Sequence, residues 1–249
     1  MPGFATDQLL QGLSVDCVIF GFHQNELKVL LLKLKQLDMW ALPGGFVGVT
    51  EDVDQAATRV LSERTGLEDI FLQQFFLFGD ASRHRAGHGA RLAELGAIPA
   101  EWADWLDRRF VTLGYYALVE YSRVKAPKPD QTSESCEWCA LNALPKLMLD
   151  HSEILTKAHD TLKKHLNDQP IGLNLLPAQF TMPELQALYE TVLGTTLDRR
   201  NFQRKMLGYG ILNRTGKRMT GAPHKAPWLY EFDEEKYRLA LQAGLNTGW

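Results

Sequence analysis

Residues 44–67 constrain the fold of this chain more than any other stretch, because a glycine-rich segment there runs directly into helical periodicity. The letters are GGFVGVTEDVDQAATRVLSERTGL. Apolar side chains recur at spacings of three and four residues, which indicates an amphipathic helix packed on one face. The sequence therefore predicts a turn at Gly44 and Gly45, then a helix that ends at a C-terminal glycine, Gly66. The apolar positions are Val53, Ala56, Ala57, Val60 and Leu61.

Seven residues of the same stretch have a second, distinctive spacing: Gly45, Glu51, Arg59, Leu61, Glu63, Gly66 and Leu67. This resembles a Nudix box, in which Gly, five residues, Glu and seven residues precede Arg-Glu-aliphatic-any-Glu-Glu-any-Gly-aliphatic. In that family the helix glutamates gather divalent cations against a pyrophosphate. Two of those glutamate positions hold Val60 and Arg64 here, and neither side chain has a lone pair for a metal. We therefore predict a phosphate-binding turn without a metal site and without catalytic residues.

The composition is that of an ordinary globular protein, with 249 residues, 45% hydrophobic and 23% charged. No apolar run approaches the roughly 20 residues that span a bilayer. The first residues lack the basic and apolar regions of a signal peptide. We therefore expect a cytoplasmic protein that does not enter a membrane.

Three cysteines, Cys17, Cys136 and Cys139, are too few and odd in number for a disulfide framework. Cys136 and Cys139 form a CxxC pair, but no second pair at zinc spacing accompanies it. Reduced thiols on a strand are the expected state.

The first two thirds of the chain have the pattern of an α+β domain. Two β-rich runs around a short turn predict a hairpin, and apolar residues at helical spacing predict a late helix capped by Ser152. Residues 82–109 interrupt this order as an insertion that we interpret as a loop with one short helix at 99–106. The predicted strands are residues 15–22, 27–34, 68–78, 110–121 and 137–141, and the late helix is 152–166.

The last third has a different organisation after a linker at residues 168–180, which contains two prolines. Thr181 and Glu184 form a capping-box signature for a helix at 182–193 that Gly194 closes. Asp198 can cap a second helix at 199–207, and two strands around a basic loop follow. Helix, tight turn, basic helix and hairpin together predict a winged helix-turn-helix over residues 181–249.

Residues 198–225 are strongly basic, with eight Lys/Arg and one acid, Asp198, in a chain of net charge -3. Such an excess indicates a polyanion-binding surface. We expect the second helix to enter the major groove of double-stranded DNA and the hairpin to act as a wing. The alternative is a helical accessory domain used for dimerisation. The predicted DNA-binding residues are Arg199, Arg200, Asn201, Gln203, Arg204, Lys205, Arg214, Lys217 and Arg218.

A degenerate Nudix box joined to a winged helix resembles the Nudix-related transcriptional regulators of NAD metabolism. The resemblance implies a Nudix-like α/β/α sandwich over residues 1–167. It also implies a repressor that binds operator DNA as a homodimer and senses ADP-ribose or a related adenine nucleotide, with no other cofactor. The matching stretches are residues 40–45, 78–80 with Arg83, 115–118, 150–151, 175–177 and 198–202.

The expected effector site combines the Nudix box with residues around the insertion. Arg83 or Arg109 would meet the diphosphate, and Phe76 or Tyr116 would stack on a ring; plain surface or core is the alternative for each. The predicted ligand-binding residues are Gly44, Gly45, Glu51, Arg59, Glu63, Phe76, Arg83, Arg109 and Tyr116.

A second hypothesis is an active, Mg-dependent ADP-ribose pyrophosphatase with an accessory C-terminal domain. It would use Glu51 and Glu63, with Asp80 or Glu120 completing a Mg²⁺ site. The loss of two of three helix carboxylates argues against it, because phosphoryl chemistry of this kind depends on the metal clamp.

Overall fold

A sheet of seven strands organises the first part of the protein. The computed structural model describes residues 6–68, 70–83, 86–168, 171–218 and 226–243. The chain divides into two units, one of Met1–Gly21 with Lys28–Ala158 and one of Phe22–Leu27 with His159–Trp249. No helix in the described ranges is long and apolar enough to cross a membrane.

The seven strands are numbered β1 to β7 in chain order. The main path of the sheet runs β3-β2-β1-β6-β5, with β4 paired to β1 and β7 paired to β2. Gln24 and Asn25 join β1 to β2 with φ of 52° and 59°, the left-handed conformation that a two-residue hairpin turn requires. The predicted hairpin is thus confirmed. The strands are β1 (Leu9–His23), β2 (Glu26–Leu34), β3 (Trp40–Ala41), β4 (Gly44–Gly48), β5 (Phe71–Phe78), β6 (Val111–Glu120) and β7 (Ser133–Ala140).

The predicted box helix is present as α1 (Val53–Thr65). Asp52 caps it in a capping box with Gln55, and Gly66 closes it with φ 71°, a conformation that glycine adopts without strain. The predicted apolar stripe faces the core: Ala56, Ala57, Val60 and Leu61 are buried and Val53 is half-buried.

The predicted turn at Gly44 and Gly45 is wrong, because both residues lie in β4 and pair with Asp16 and Val15 of β1. A Cβ on Gly44 would lie 2.5 Å from the Asp16 Oδ1 atom, and one on Gly45 would lie 2.9 Å from a methyl of Val60. The two glycines therefore let the strand approach β1 and α1 closely. That requirement arises from long-range packing and is invisible in the local sequence.

The insertion is more helical than predicted. Its first part, interpreted as a loop, contains α2 (His88–Glu94), while the predicted short helix appears as a 3-10 turn at Ala100–Trp102 followed by α3 (Ala103–Leu106). Gly87 precedes α2 in the left-handed conformation and no side chain caps the helix, so the usual sequence signal for its start is missing.

The late helix is present as α4 (His151–Asp168). The predicted cap at Ser152 is wrong: the carbonyl of Asp150 accepts hydrogen bonds from the N–H groups of Glu153 and Ile154, so the helix starts before Ser152. Cys136 and Cys139 lie on β7 as free thiols, as predicted.

The last part has two capped helices and a three-stranded sheet of order β8-β10-β9. Thr181 and Glu184 form the predicted capping box, Gly194 closes α5 at φ 70°, and Asp198 caps α6. A third helix, α7, was not predicted. The elements are β8 (Phe180–Thr181), α5 (Met182–Leu193), α6 (Arg199–Gly208), β9 (Leu212–Lys217), β10 (Trp228–Phe232) and α7 (Glu234–Ala243).

The segment predicted as a linker has structure of its own. A 3-10 turn spans Ile171–Asn174, and Leu175, Leu176 and Phe180 are buried. Part of the predicted basic loop, residues 219–225 with Lys225, lies outside the described residues.

Candidate functional site

The box residues Glu51 and Arg59 form a closely bonded pair. Arg59 donates from Nε to Glu51 Oε2 at 3.1 Å and from Nη2 to Glu51 Oε1 at 2.6 Å. It also donates to the Phe46 carbonyl at 3.0 Å, while Glu51 accepts from the Gly48 N–H at 2.8 Å. The hydrogen bonds from Arg59 lower the pKa of the Glu51 carboxyl. The pair ties β4 to α1.

The second box glutamate, Glu63, lies between two guanidinium groups. Its carboxylate is 3.0 Å from Arg64 and 3.7 Å from Arg59. Arg64 is buried and also donates to the Lys128 carbonyl at 3.3 Å. A cation approaching Glu63 would have to compete with both arginines, and Val60 at the neighbouring position is fully buried.

The two acids considered for a Mg²⁺ site each accept hydrogen bonds from a serine in their own local turn. Asp80 Oδ1 accepts from the Ser82 N–H at 2.7 Å, and the Ser82 hydrogen bonds lower the Asp80 pKa. Glu120 accepts from the N–H and the hydroxyl of Ser122 at 3.0 and 2.6 Å. Within the described ranges, no group of three or more His, Cys, Asp or Glu residues is placed to hold a metal ion.

A cavity of about 290 Å³, here called the apolar cavity, lies between the sheet and the insertion. Aromatic and aliphatic side chains form most of its wall, among them Phe46 of β4, Trp102 and Phe110. Phe46 packs against Phe110 with ring centroids 5.3 Å apart and against Trp102 at 6.4 Å. Trp105 packs against this cluster, with its ring centroid 4.3 Å from that of Phe46.

Charged and polar groups lie at one end of the apolar cavity. Arg83 donates to Asp150 at 2.6 Å and lies 3.8 Å from the Asp16 carboxylate. His151 accepts the Leu42 N–H on Nδ1 at 2.9 Å, and its Nε2 is 3.9 Å from Asp16. Burial lowers the pKa of His151, so this imidazole is neutral at pH 7.

A second cavity of about 480 Å³, the polar cavity, lies beside the end of β5. Arg83 lines both cavities. Arg109 donates to the carbonyl of Gly79, a residue of the polar cavity, at 2.7 Å. Phe76 is 45% exposed, and the ammonium group of Lys157 lies 4.8 Å from its ring centroid.

The structure divides the predicted ligand-binding residues among four places. Gly44, Gly45 and Arg83 line the apolar cavity, and Phe76 and Arg83 line the polar cavity, with Arg109 next to it. Glu51, just before α1, forms an ionic cluster with Arg59 and Glu63 of α1, and these three residues line neither cavity. Tyr116 is fully buried in the sheet and donates to the Gln73 side chain at 3.0 Å.

The cavity residues that were not singled out from the sequence include Asp16, Phe46, Trp102 and Phe110. One signal was available, since Asp16 is an acid inside an otherwise apolar strand run, VDCVIF, and buried acids usually have a partner or a function.

The α6 helix has one buried and one basic face. Phe202 and Met206 are buried, and Phe202 packs on Tyr189 of α5 with ring centroids 5.3 Å apart. Arg204 donates to the side chain of Asn201 at 3.0 Å on the exposed face. The other predicted residues of this helix are also accessible: Arg199 and Arg200 are exposed, and Gln203 and Lys205 are half-buried.

The β9–β10 hairpin carries the other predicted cations. The Arg214 guanidinium lies 4.5 Å from the ring centroid of Trp228, and the Lys217 ammonium lies 4.9 Å from it. Trp228 is 39% exposed, so this stacked group is at the surface. Arg218 instead pairs with Glu184 of the α5 capping box at 2.6 Å.

Comparison with known proteins identifies both parts of the chain. The family model of the NUDIX domain matches residues 10–158, and that of the NrtR DNA-binding winged helix domain matches residues 172–232. An ADPR-responsive transcriptional repressor, NtrR, from Acinetobacter baylyi is 31% identical over 237 residues, 92% of this chain and 82% of that protein. The chain belongs to the Nudix-related transcriptional regulators of the NrtR type. The resemblance predicted from the sequence is thereby confirmed.

Solved structures of NrtR-type regulators have the same fold. The crystal structure of Shewanella oneidensis NrtR complexed with a 27mer DNA has a TM-score of 0.74 and 25% identity, and the match covers 96% of this chain and 100% of that one. The predicted fold class, α+β with a Nudix domain and a C-terminal winged helix, is confirmed. An ADP-ribose pyrophosphatase of Methanocaldococcus jannaschii is 27% identical over 138 residues, 54% of this chain and 68% of that enzyme.

Proposed function

We propose that this chain is a transcriptional repressor that binds operator DNA as a homodimer and senses ADP-ribose or a related nucleotide through its Nudix domain. The DNA-binding part of this proposal rests on the orientation of α6. The apolar face of this helix is buried against α5, and its arginines face outward. A cationic helix of this kind fits the major groove, where arginine and asparagine read base edges. The relative from A. baylyi, an ADPR-responsive repressor, supports the same function.

The genes under control, on this proposal, are those of NAD biosynthesis or salvage. A gel-shift competition tests it: a labelled duplex from upstream of such a gene is challenged with the same unlabelled duplex or with random DNA of equal length. The operator duplex is expected to compete at much lower concentration. Equal competition by random DNA would contradict the proposal. The comparison is made at fixed salt, because phosphate contacts make all binding salt-dependent.

The homodimer follows from the small size of one winged helix. One recognition helix reads few base pairs, whereas a two-fold dimer reads two half-sites about one helical turn apart. Sedimentation of the protein alone and with a palindromic duplex measures the stoichiometry, and two chains per duplex are expected. One chain per duplex at saturation would contradict the dimer.

The Nudix domain, on this proposal, binds its ligand without cutting it. The arrangement at α1 supports this, because Arg64 and the buried Val60 occupy two glutamate positions of the box and Glu63 is held between two arginines. The similarity to an ADP-ribose pyrophosphatase and the retention of Glu51 and Glu63 favour the alternative of residual hydrolysis.

Phosphate release from ADP-ribose, measured with Mg²⁺ and a coupled phosphatase, separates the two functions. We expect no turnover above that of the Glu63→Gln variant. Turnover that the wild type shows and Glu63→Gln loses would establish the pyrophosphatase instead. ADP-ribose binding measured on the same preparation shows that the protein used is competent.

A further inference from the structure

The turn that joins α5 to α6 is bonded to side chains of α5. Residues 194–198 form this turn, and Leu197 precedes Asp198, the residue that caps α6. The N–H of Leu197 donates to Glu190 Oε1 at 2.8 Å, and its carbonyl accepts from Gln186 Nε2 at 2.8 Å. Both backbone groups of the residue before the cap are therefore fixed by α5.

Gln186 and Glu190 also bond to each other. Gln186 Nε2 donates to Glu190 Oε1 at 2.9 Å, as neighbours four residues apart on one face of a helix. The two side chains and the backbone of Leu197 thus close a hydrogen-bonded ring, here called the turn clamp. The hydrogen bond from the Leu197 N–H lowers the pKa of the Glu190 carboxyl, so at pH 7 this side chain is a carboxylate that only accepts.

Apolar packing anchors α6 from its second turn onward. Phe202 and Met206 are buried, and Phe202 packs on Tyr189 of α5 with ring centroids 5.3 Å apart. The first turn, residues 199–201, is exposed, and the turn clamp acts directly before it, at Leu197. In helix-turn-helix proteins, the N-terminal residues of the recognition helix contact base edges. The turn clamp therefore restrains the end of α6 that is expected to read the bases.

We propose that Gln186 and Glu190 are positioning residues for sequence recognition, and that the turn clamp sets the orientation in which the first turn of α6 meets the base edges. This inference rests on the proposed DNA-binding function. It gives a role in operator recognition to two side chains of the helix that precedes the recognition helix.

Contacts to bases and contacts to phosphates should respond differently to loss of the turn clamp. A hydrogen bond to a base edge requires a narrow range of distance and angle, so a small rotation of α6 breaks it. Lysine and arginine bind phosphates largely through charge, and this attraction tolerates a small shift. Loss of the turn clamp should therefore lower the affinity for the operator and leave the affinity for random DNA unchanged.

Two substitutions at Glu190 separate hydrogen bonding from charge. Glu190→Gln and Glu190→Ala each remove one negative charge, but only glutamine retains an oxygen that accepts the Leu197 N–H. Anisotropy titrations of the full-length protein use the duplex that the gel-shift competition selects and a random duplex of equal length, at fixed salt. Glu190→Gln should retain the wild-type ratio of operator to random affinity. Glu190→Ala should bind the operator about tenfold more weakly than Glu190→Gln, the loss of roughly one good base contact, and should bind random DNA equally well.

Gln186→Ala tests the other side chain of the turn clamp. It should also weaken operator binding by about tenfold, without a change for random DNA. The double variant Gln186→Ala/Glu190→Ala should lose little more than either single variant, because the effects of residues that act as one unit do not add. Losses that multiply to about a hundredfold would contradict a single clamp.

The outcomes distinguish the turn clamp from the proposed function. Equal operator affinity of Glu190→Gln and Glu190→Ala would overturn the positioning role while the repressor function stands. A Glu190→Ala variant that loses operator and random binding by the same factor would also overturn it, since that loss has no sequence dependence. A wild type that binds both duplexes equally would overturn the proposed function itself. Thermal unfolding checks each variant, and the operator-to-random ratio of Gln186→Ala decides the matter if Glu190→Ala does not fold.

Discussion

Arg59 binds both carboxylate oxygens of Glu51, at 3.1 Å through Nε and at 2.6 Å through Nη2. The spacing of these two residues is part of the Nudix-box pattern, and in this chain they form an ion pair that links β4 to α1. Glu51 also accepts from the Gly48 N–H, and Arg59 also donates to the Phe46 carbonyl. The pair therefore fixes β4, which carries an aromatic wall of the apolar cavity, against α1.

The Glu51–Arg59 ion pair makes the free energy of unfolding of the Nudix domain sensitive to low pH. Arg59 lowers the pKa of Glu51, so the stabilisation is fully present above the ordinary glutamate pKa of about 4.3 and is lost as the pH falls through the lower pKa of the folded state. We predict that Glu51→Gln lowers the free energy of unfolding at pH 7 and that its difference from the wild type shrinks below about pH 4.3. Urea unfolding at a series of pH values measures this; a constant difference from pH 7 to pH 3 would contradict it.

Restoring the box glutamate at position 60 is expected to destabilise the fold. Val60 is fully buried, and its methyl group packs close to Gly45, so Val60→Glu places an unpaired carboxyl in the core. We predict a loss of about 3 kcal/mol or more in the free energy of unfolding. Thr58→Glu is the matched control, since Thr58 is an exposed residue of the same helix, and it should change stability by within about 0.5 kcal/mol. Equal losses in the free energy of unfolding for the two substitutions would contradict the burial of Val60.

The exposed face of α6 should carry sequence recognition. Arg204→Ala is expected to weaken operator binding by about 1–3 kcal/mol if Arg204 bonds to a base edge. Nucleotide affinity should stay at the wild-type value, because no residue of the two cavities is changed. Fluorescence anisotropy with a labelled duplex and calorimetry with ADP-ribose give the two numbers. Arg123→Ala removes an exposed arginine outside the winged helix and is the control; a matching loss of DNA binding there would contradict the assignment.

Trp228 should position the cations of the wing. Arg214 and Lys217 both lie within 5 Å of its ring centroid, and each cation–π contact at an exposed site is worth about 0.5–1 kcal/mol. Trp228→Ala should therefore weaken DNA binding and flatten its dependence on salt, by about one unit of slope for each phosphate that the wing no longer neutralises. Trp228→Phe retains an aromatic face and should keep most of the slope. A slope unchanged in Trp228→Ala would mean that the stacked cations do not bind phosphates.

The helix ends were predictable because their signals are local. Thr181 with Glu184, Asp198 and the glycines at 66 and 194 act within a few residues of themselves, and the structure has each where the sequence predicts it. The same reasoning failed for α2, whose start has a left-handed glycine and no side-chain cap. Ser152 satisfied the cap pattern, but the helix starts one residue earlier.

The candidate site was less predictable because distant segments build it. Arg83 meets Asp150 across 67 positions of sequence, and the Leu42 N–H meets His151 across 109. Gly44 and Gly45 look like a phosphate turn in isolation but are needed for strand packing. Tyr116 is an aromatic residue of the kind that stacks on a ligand ring, and its burial is apparent only from the sheet around it.

We predict that a nucleotide bound in the Nudix domain changes the affinity of the winged helix for DNA. The direct test measures the operator dissociation constant by anisotropy, with and without saturating ADP-ribose, with a random duplex as control. We expect a change of about 5–150-fold for the operator, the usual range of coupling between two sites, and little change for random DNA. An operator affinity that stays the same while calorimetry shows ADP-ribose bound would contradict it.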